Sequence, residues 1–296
     1  MESDMLMPNL THRFLFAATA LLCTLAAAQT TRPASTHTPP PPRPKSEAVI
    51  IAEITAQLAS QDPAQHKQAV ESIRSRIQTR GLSDLRSYFL RPMMNNKQFT
   101  EVADLALEGI LASPAETRSV EVVLQMRVKA LLALGKTDEA LAASKSLFNI
   151  ASMNGTSEAI LAVAECLNAA HPTDPEIFNR FREEQMAGAS LPPVTQPVPV
   201  KCTVLAAIKV DSKAYDEALK KIPAEDAAGL MARGNLLLLA DRVKDARAIF
   251  ERLYSLAGSD INESSEALAR CIKAEDGTIG RANAWVLSIR PKKTGQ

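Results

Sequence analysis

The feature that most constrains this chain is that it matches itself. Shifted by 106 residues, the stretch LLALGKTDEALAASKSLF (131–148) falls on LLLADRVKDARAIFERLY (237–254). Leu131 meets Leu237, Leu132 meets Leu238, Ala140 meets Ala246, Leu147 meets Leu253 and Phe148 meets Tyr254. After a two-residue gap, SEAILA from Ser157 falls on SEALAR from Ser265. A shift of 38 places KQFTEVADLALEGI (97–110) on GKTDEALAASKSLF (135–148), with Val102 on Ala140. The longer shift is close to three periods of about 35 residues, a spacing typical of helical repeats. Each unit is two apolar helices around a short polar break, and one such hairpin cannot bury its apolar stripe alone. Stacking hides each stripe against the next unit, which predicts a right-handed superhelical stack with a concave face. Leu141 and Phe148, seven residues apart, share one helix face, as do Leu124 and Leu131.

Composition agrees with helices. Ala and Leu dominate the apolar residues, whereas aromatics make up only 4% and Gly only 11 of the 296 residues. The expected fold class is all-α, an α-solenoid of antiparallel helical hairpins. Helices are predicted near 47–60, 63–79, 82–95, 98–112, 116–135, 137–151, 157–170 and 174–188. Further helices are predicted near 212–221, 224–240, 242–256, 261–274 and 278–289. Short connections make neighbours antiparallel. Asp62-Pro63 starts a helix, Gly81 ends one, and Ser113-Pro114 separates two. Pro92 should kink or end the third helix. The stretch VLAAIKV, 204–210, suits either a short strand or a helical turn.

The chain ends read differently. His12 and Arg13 precede an apolar run from Phe14 to Ala28, about the length of an export-signal core and short for a membrane span. Small residues at Ala26 and Ala28 predict cleavage after Ala28; an uncleaved membrane anchor is the alternative. Glu2 and Asp4 are unusual before such a run, and a start at Met5 or Met7 suits a signal better. Residues 29–45 are Pro- and Thr-rich, a tether that cannot bury enough surface to fold. The expected organisation is therefore a signal peptide over 1–28, a linker over 29–45, helical repeats over 46–188, a Pro-rich linker or strap over 189–203, repeats over 204–290, and a tail over 291–296. The protein is expected to be exported, periplasmic or secreted, with no membrane span after cleavage.

No catalytic constellation stands out, and the chain is not expected to be an enzyme. Glu183-Glu184 and Glu225-Asp226 are adjacent, so their carboxylates diverge on a helix surface. No GxSxG elbow occurs. The Gly-Lys-Thr at 135–137 lacks the upstream glycine and preceding strand of a phosphate loop and reads as an inter-helix turn. No CxxC occurs, so no metal site is expected; no cofactor is expected either. Cys166 and Cys271 lie inside apolar helical patterns and read as buried small hydrophobes. His171 reads as a helix end. Gly277, Gly280 and Trp285 read as a tight turn before a terminal helix whose Trp caps the stack; a pocket around Trp285 and Arg281 is the alternative. The net charge of +1, with both signs interspersed, gives no electrostatic basis for nucleic-acid binding.

These residues resemble the tetratricopeptide repeat, a hairpin of about 34 residues. In that family a small residue midway along the first helix lets the second cross closely, and Gly234 fills that place. A second small residue near the start of the second helix serves the same contact; Ala140 and Ala246 fill it. A large apolar residue one turn later packs between hairpins, and Phe250 fits. Pro114 matches the proline that ends the hairpin. Ser144 and Ala106 stand where Phe250 does, and Val128 where Gly234 does. The resemblance is strongest over 227–259, extends over 83–151, and implies a module that holds a protein or peptide partner in a concave groove. On that analogy Gln125, Arg127, Lys129, Arg233 and Asn235 are the partner-binding candidates. The alternative function is a structural envelope scaffold that associates with copies of itself.

Overall fold

A computed structural model describes residues 45–189, 201–223, 225–256 and 261–289. The predicted signal, most of the first Pro-rich linker, the centre of the second and the C-terminal tail lie outside the described residues. Among the described residues the fold is all-helical, with no strand. Helices α1 (Glu47–Leu58) and α2 (Pro63–Arg80) form the first hairpin. They are followed by α3 (Leu82–Asp84), α4 (Leu90–Asn95), α5 (Phe99–Ala112), α6 (Thr117–Ala133), α7 (Thr137–Ile150), α8 (Thr156–Ala170) and α9 (Pro175–Ala189). After the second Pro-rich stretch come α10 (Thr203–Ala207), α11 (Lys213–Leu219), α12 (Ala227–Leu239), α13 (Val243–Ser255), α14 (Ile261–Asp276) and α15 (Gly280–Ile289). Residues 204–207 thus belong to a helical turn rather than a strand.

Local chemistry explains the boundaries. Asp62 caps α2 by accepting from the Ala64 N–H at 2.9 Å, with Pro63 at the first helical position. Asp226 caps α12 by accepting from the Gly229 N–H at 2.7 Å. Pro92 does not end its helix. The turn before it, Leu85–Phe89, widens to π-helical spacing, and α4 continues through the proline to Asn95. Pro lacks the N–H that would bond back to residue 88, and the widened turn accommodates that gap.

The self-match in the sequence is a match of geometry. Lys97, Gly135 and Asp241 all have left-handed backbones, with φ of 60°, 71° and 61°. They are spaced by the same 38 and 106 residues that align the sequence. Around each, one hydrogen-bond pattern recurs. The N–H of Lys136 donates to the Leu131 carbonyl, as Gln98 does to Met93 and Arg242 to Leu237. The N–H of Gly135 donates to Leu132, as Lys97 does to Met94 and Asp241 to Leu238. This paired arrangement is a Schellman motif, which terminates one helix and aims the chain back along it. The left-handed conformation favours glycine by roughly 1–2 kcal/mol. Lys97 and Asp241 therefore hold it against local preference, supported by the helices on either side.

Consecutive helices pack on one another from α5 through α9 and from α11 through α15. In the second run α13 crosses α12 at Gly234. A Cβ at that position would stand 2.3 Å from the Phe250 ring, which is itself fully buried. In the first run the matching pair is Val128 and Ser144, both buried. The bulk has changed sides: large on the second helix in one hairpin, on the first helix in the other.

One feature departs from a purely one-dimensional stack, in which each unit touches only its neighbours. Helix α7 packs on α6 and α8, and also on α12 and α14. Every residue from Ala143 to Ile150 is buried. The hydrophobic core is consequently one cluster running from Ile54 to Cys271.

Gly234→Ala isolates the close crossing. Alanine favours an isolated helix by about 1 kcal/mol, but overpacking the Phe250 contact costs about 1–3 kcal/mol. We expect a net loss of stability in urea unfolding; a gain would show that α12 and α13 do not cross there.

Candidate interaction site

The partner-binding candidates lie on α6 and α12, and the two helices present them differently. On α6, Lys129 is exposed and Gln125 half-buried. Arg127 is half-buried, and its Nε donates to the Ala103 carbonyl at 3.3 Å. It lines a cavity of about 220 Å³ together with Tyr215 of α11. On α12, Arg233 Nη1 donates to the Leu219 and Ile222 carbonyls at 3.1 and 3.0 Å, satisfying the C-terminal end of α11. Asn235 is fully buried. Its amide donates to the Pro114 carbonyl at 2.8 Å and the Thr117 hydroxyl at 3.0 Å, joining α12 to the start of α6. Asn235 and Arg233, both partner-binding candidates, are thus engaged within the chain. Both side chains fasten this chain to itself, Arg233 to the end of α11 and Asn235 to the α5–α6 turn. Of the five, Gln125 and Lys129 keep polar groups that no segment of the chain engages among the described residues.

The polar seam that sequence reasoning missed lies on α7. Lys145, Ser146 and Asn149 occupy one edge of the helix and all reach the C-terminal end of α12. Lys145 Nζ pairs with Asp241 Oδ2 at 2.6 Å and donates to the Ile208 carbonyl at 2.8 Å. Ser146 Oγ donates to the Leu239 carbonyl at 2.7 Å. Asn149 Nδ2 donates to the Leu238 carbonyl at 3.2 Å and to Asp241 Oδ1 at 3.1 Å. The last carbonyls of a helix lack intrahelical donors and carry the negative end of its dipole, so a cation and two neutral donors suit them. Asp241, held in the left-handed turn, is the hub. The sequence carried no signal for it: α7 (TDEALAASKSLFNI) has other polar residues, and the aligned positions in the second copy are the polar Glu251, Arg252 and Ser255.

A second buried lysine repeats the device. Lys273 of α14 donates from Nζ to the Ala151 carbonyl at the end of α7 and to Thr156 Oγ1 at 3.3 Å, and lies 5.0 Å from the centroid of the Phe148 ring. Thus α7 inserts a cation into the end of α12, and α14 inserts one into the end of α7. Burial, with the Arg270 charge adding to it, pushes the Lys273 ammonium down to about 7.

Beside the seam lies a cavity of about 840 Å³, with Lys145 and Asn149 on one wall and the α14–α15 turn on another. Two of its arginines are paired with carboxylates, whereas the exposed Lys201 and Lys244 in its wall form no ion pair among the described residues. Arg242 pairs with Asp216 and Asp245, and Arg281 with Glu275 and Asp276. Cys202 in its wall is buried, and desolvation pushes its thiol up to about 12, so it is protonated and a poor nucleophile. Cys166 and Cys271 are buried free thiols as well, with their pKa values raised to about 11 and 12 by burial. Among the described residues, no group of three or more His, Cys, Asp or Glu side chains is placed to hold a metal ion, and no helix is long and apolar enough to cross a membrane. Trp285 packs partly buried against the core on α15, and His171 is the C-terminal cap of α8.

No family model, no curated protein and no solved structure matches the chain.

Lys273 gives stability a pH dependence of known sign. Its folded pKa lies near 7, below the usual 10.5. Between those values the unfolded chain binds the extra proton, so stability rises with pH, by at most about 1.4 kcal/mol per pH unit. The three buried thiols oppose this above about pH 9, which is why the comparison is with Lys273→Met. In urea melts from pH 7 to 10, the wild type should gain stability relative to Lys273→Met. A pH-independent difference would mean that the amine is not desolvated.

Proposed function

We propose that this chain is an exported binding module built from tetratricopeptide-like hairpins, holding a protein or peptide partner on the exposed polar face of α6. The observation that carries this reading is the threefold recurrence of one helix-ending turn at Lys97, Gly135 and Asp241. Repeated hairpins are scaffolds whose stacked faces present side chains in rows, and such rows suit extended partners. Gln125 and Lys129 supply a neutral amide and a cation one turn apart. The resemblance is one of fold, and a fold hosts many functions; the role therefore rests on these two unengaged polar groups rather than on a catalytic group.

Export rests on the apolar run from Phe14 to Ala28. N-terminal sequencing of protein recovered outside the cytoplasm should begin at Gln29; material retaining Phe14 would instead indicate an anchor.

Cross-linked capture of partners by the wild type and by Gln125→Glu/Lys129→Glu tests the binding face. Loss of a partner in the double variant, with an unchanged melting curve, is the expected result. Identical partners in both would overturn the assignment to α6. Concentration-dependent oligomers on a sizing column, with no captured partner, would favour the self-associating scaffold.

A further inference from the structure

A separate cavity of about 440 Å³ lies between the start of α6, the α7–α8 turn and the first half of α14. Its wall contains Arg270, which is only 2% exposed. Lys145 and Lys273 are comparably buried, yet each has oxygen partners. Arg270 has none among the described residues. Its Nε meets no acceptor, its Nη2 reaches only Met231 Sδ at 3.8 Å, and its Cζ stands 5.7 Å from the centroid of the Phe250 ring. A buried guanidinium without an anionic or carbonyl partner is costly and is a ready acceptor site for one.

The N-terminus of α6, a helix of 17 residues, opens on the same cavity through Thr117, Arg118 and Ser119. Its N-cap residue, Glu116, makes no bond to the first turn; its carboxylate accepts from the Leu82 N–H at 3.2 Å instead. Of the first-turn amides, the Thr117 N–H donates to the Ala115 carbonyl at 2.9 Å, while those of Arg118 and Ser119 have no partner among the described residues, and the positive end of the helix dipole faces the space. Arg270 and this helix end both favour a negative group.

The remaining wall has the opposite sign. Glu263 and Glu266 are exposed, lie one turn apart on α14, and form no ion pair among the described residues. Together with Glu121 they are the carboxylates whose fields reach Arg270. A simple anion would be repelled by them, and a simple cation by Arg270. A molecule carrying both charges meets attraction at each end, and the cavity has room for one the size of an amino acid. We propose that this cavity binds a small zwitterion of the α-amino-acid class, with its carboxylate on Arg270 and the first-turn amides of α6 and its ammonium between Glu263 and Glu266. The site is independent of the partner face on α6.

Isothermal titration of the full chain with L-leucine, L-lysine and L-glutamate tests this, with the N-acetyl and C-amide forms of each as controls. At least one free amino acid should bind saturably, and blocking either end should weaken it by about tenfold or more, the scale of one lost charge-assisted hydrogen bond. Glu263→Gln/Glu266→Gln should weaken the free amino acid by a similar factor, and Arg270→Met should abolish binding. The glutamates are surface positions, so their double variant decides the matter even if Arg270→Met fails to fold. No saturable binding by any of the three up to about 10 mM would overturn the proposal. Equal binding of acetylated and free forms, or undiminished binding by the glutamate variant, would overturn it too.

Discussion

The structure depends on what happens at the C-terminal ends of two helices. A helix that stops inside a protein leaves carbonyls without donors, and burying them unpaired costs free energy. Here α12 ends against α7, and α7 ends against α14. Each end receives a lysine from the helix packed across it: Lys145 at the turn after α12, Lys273 at the turn after α7. Ser146 and Asn149 complete the first of these ends. These donors satisfy the buried helix ends at the place where α7 is covered on a second side by α12 and α14. Buried charges usually weaken a fold unless their partners are well placed. Lys145 has a carboxylate and a carbonyl within 2.8 Å, which meets that condition.

The hairpins themselves show one backbone solution reached with different side chains. The left-handed residue is Gly135 in one copy, Lys97 and Asp241 in the others. Glycine is the residue that adopts this conformation freely. Asp241 has a second role that glycine could not fill, because its carboxylate ties Lys145 and Asn149 to the turn. The crossing of the paired helices shows the same freedom. Gly234 beneath Phe250 and Val128 opposite Ser144 distribute bulk in opposite ways, a kind of exchange that close-packed cores tolerate when total volume is kept. The Gly234 and Phe250 pair was legible as a small residue and a large one on the two helices of one expected hairpin. The Val128 and Ser144 pair departs from that pattern in both positions, and only packing makes sense of it.

What was legible about a candidate site divides along the same line. On α6, Lys129 is exposed and Gln125 half-buried, neither engaged by another segment among the described residues. Asn235 and Arg233 have the same period and polarity, yet they cap segments more than ten residues away in the chain. Arg270 reads as one more charged residue on an amphipathic helix, alongside Glu263 and Glu266. That it is buried, and without a carboxylate partner, depends on α12 and α13 closing over it. Polarity in a sequence identifies a group that needs a partner; it does not say whether the partner is water, a distant carbonyl or a ligand.

By itself the sequence determined the helices, their order and the recurrence of one hairpin, because these rest on apolar period, capping residues and turn chemistry within a few residues of one another. Tertiary structure alone decided that α7 would be covered on a second face, that Asn235 and Arg233 would fasten the chain internally, and that Arg270 would line a cavity. Those outcomes depend on contacts between residues from about 10 to more than 100 positions apart. Such contacts are selected by packing and by the cost of unpaired buried polar groups, and neither quantity exists until the helices have met.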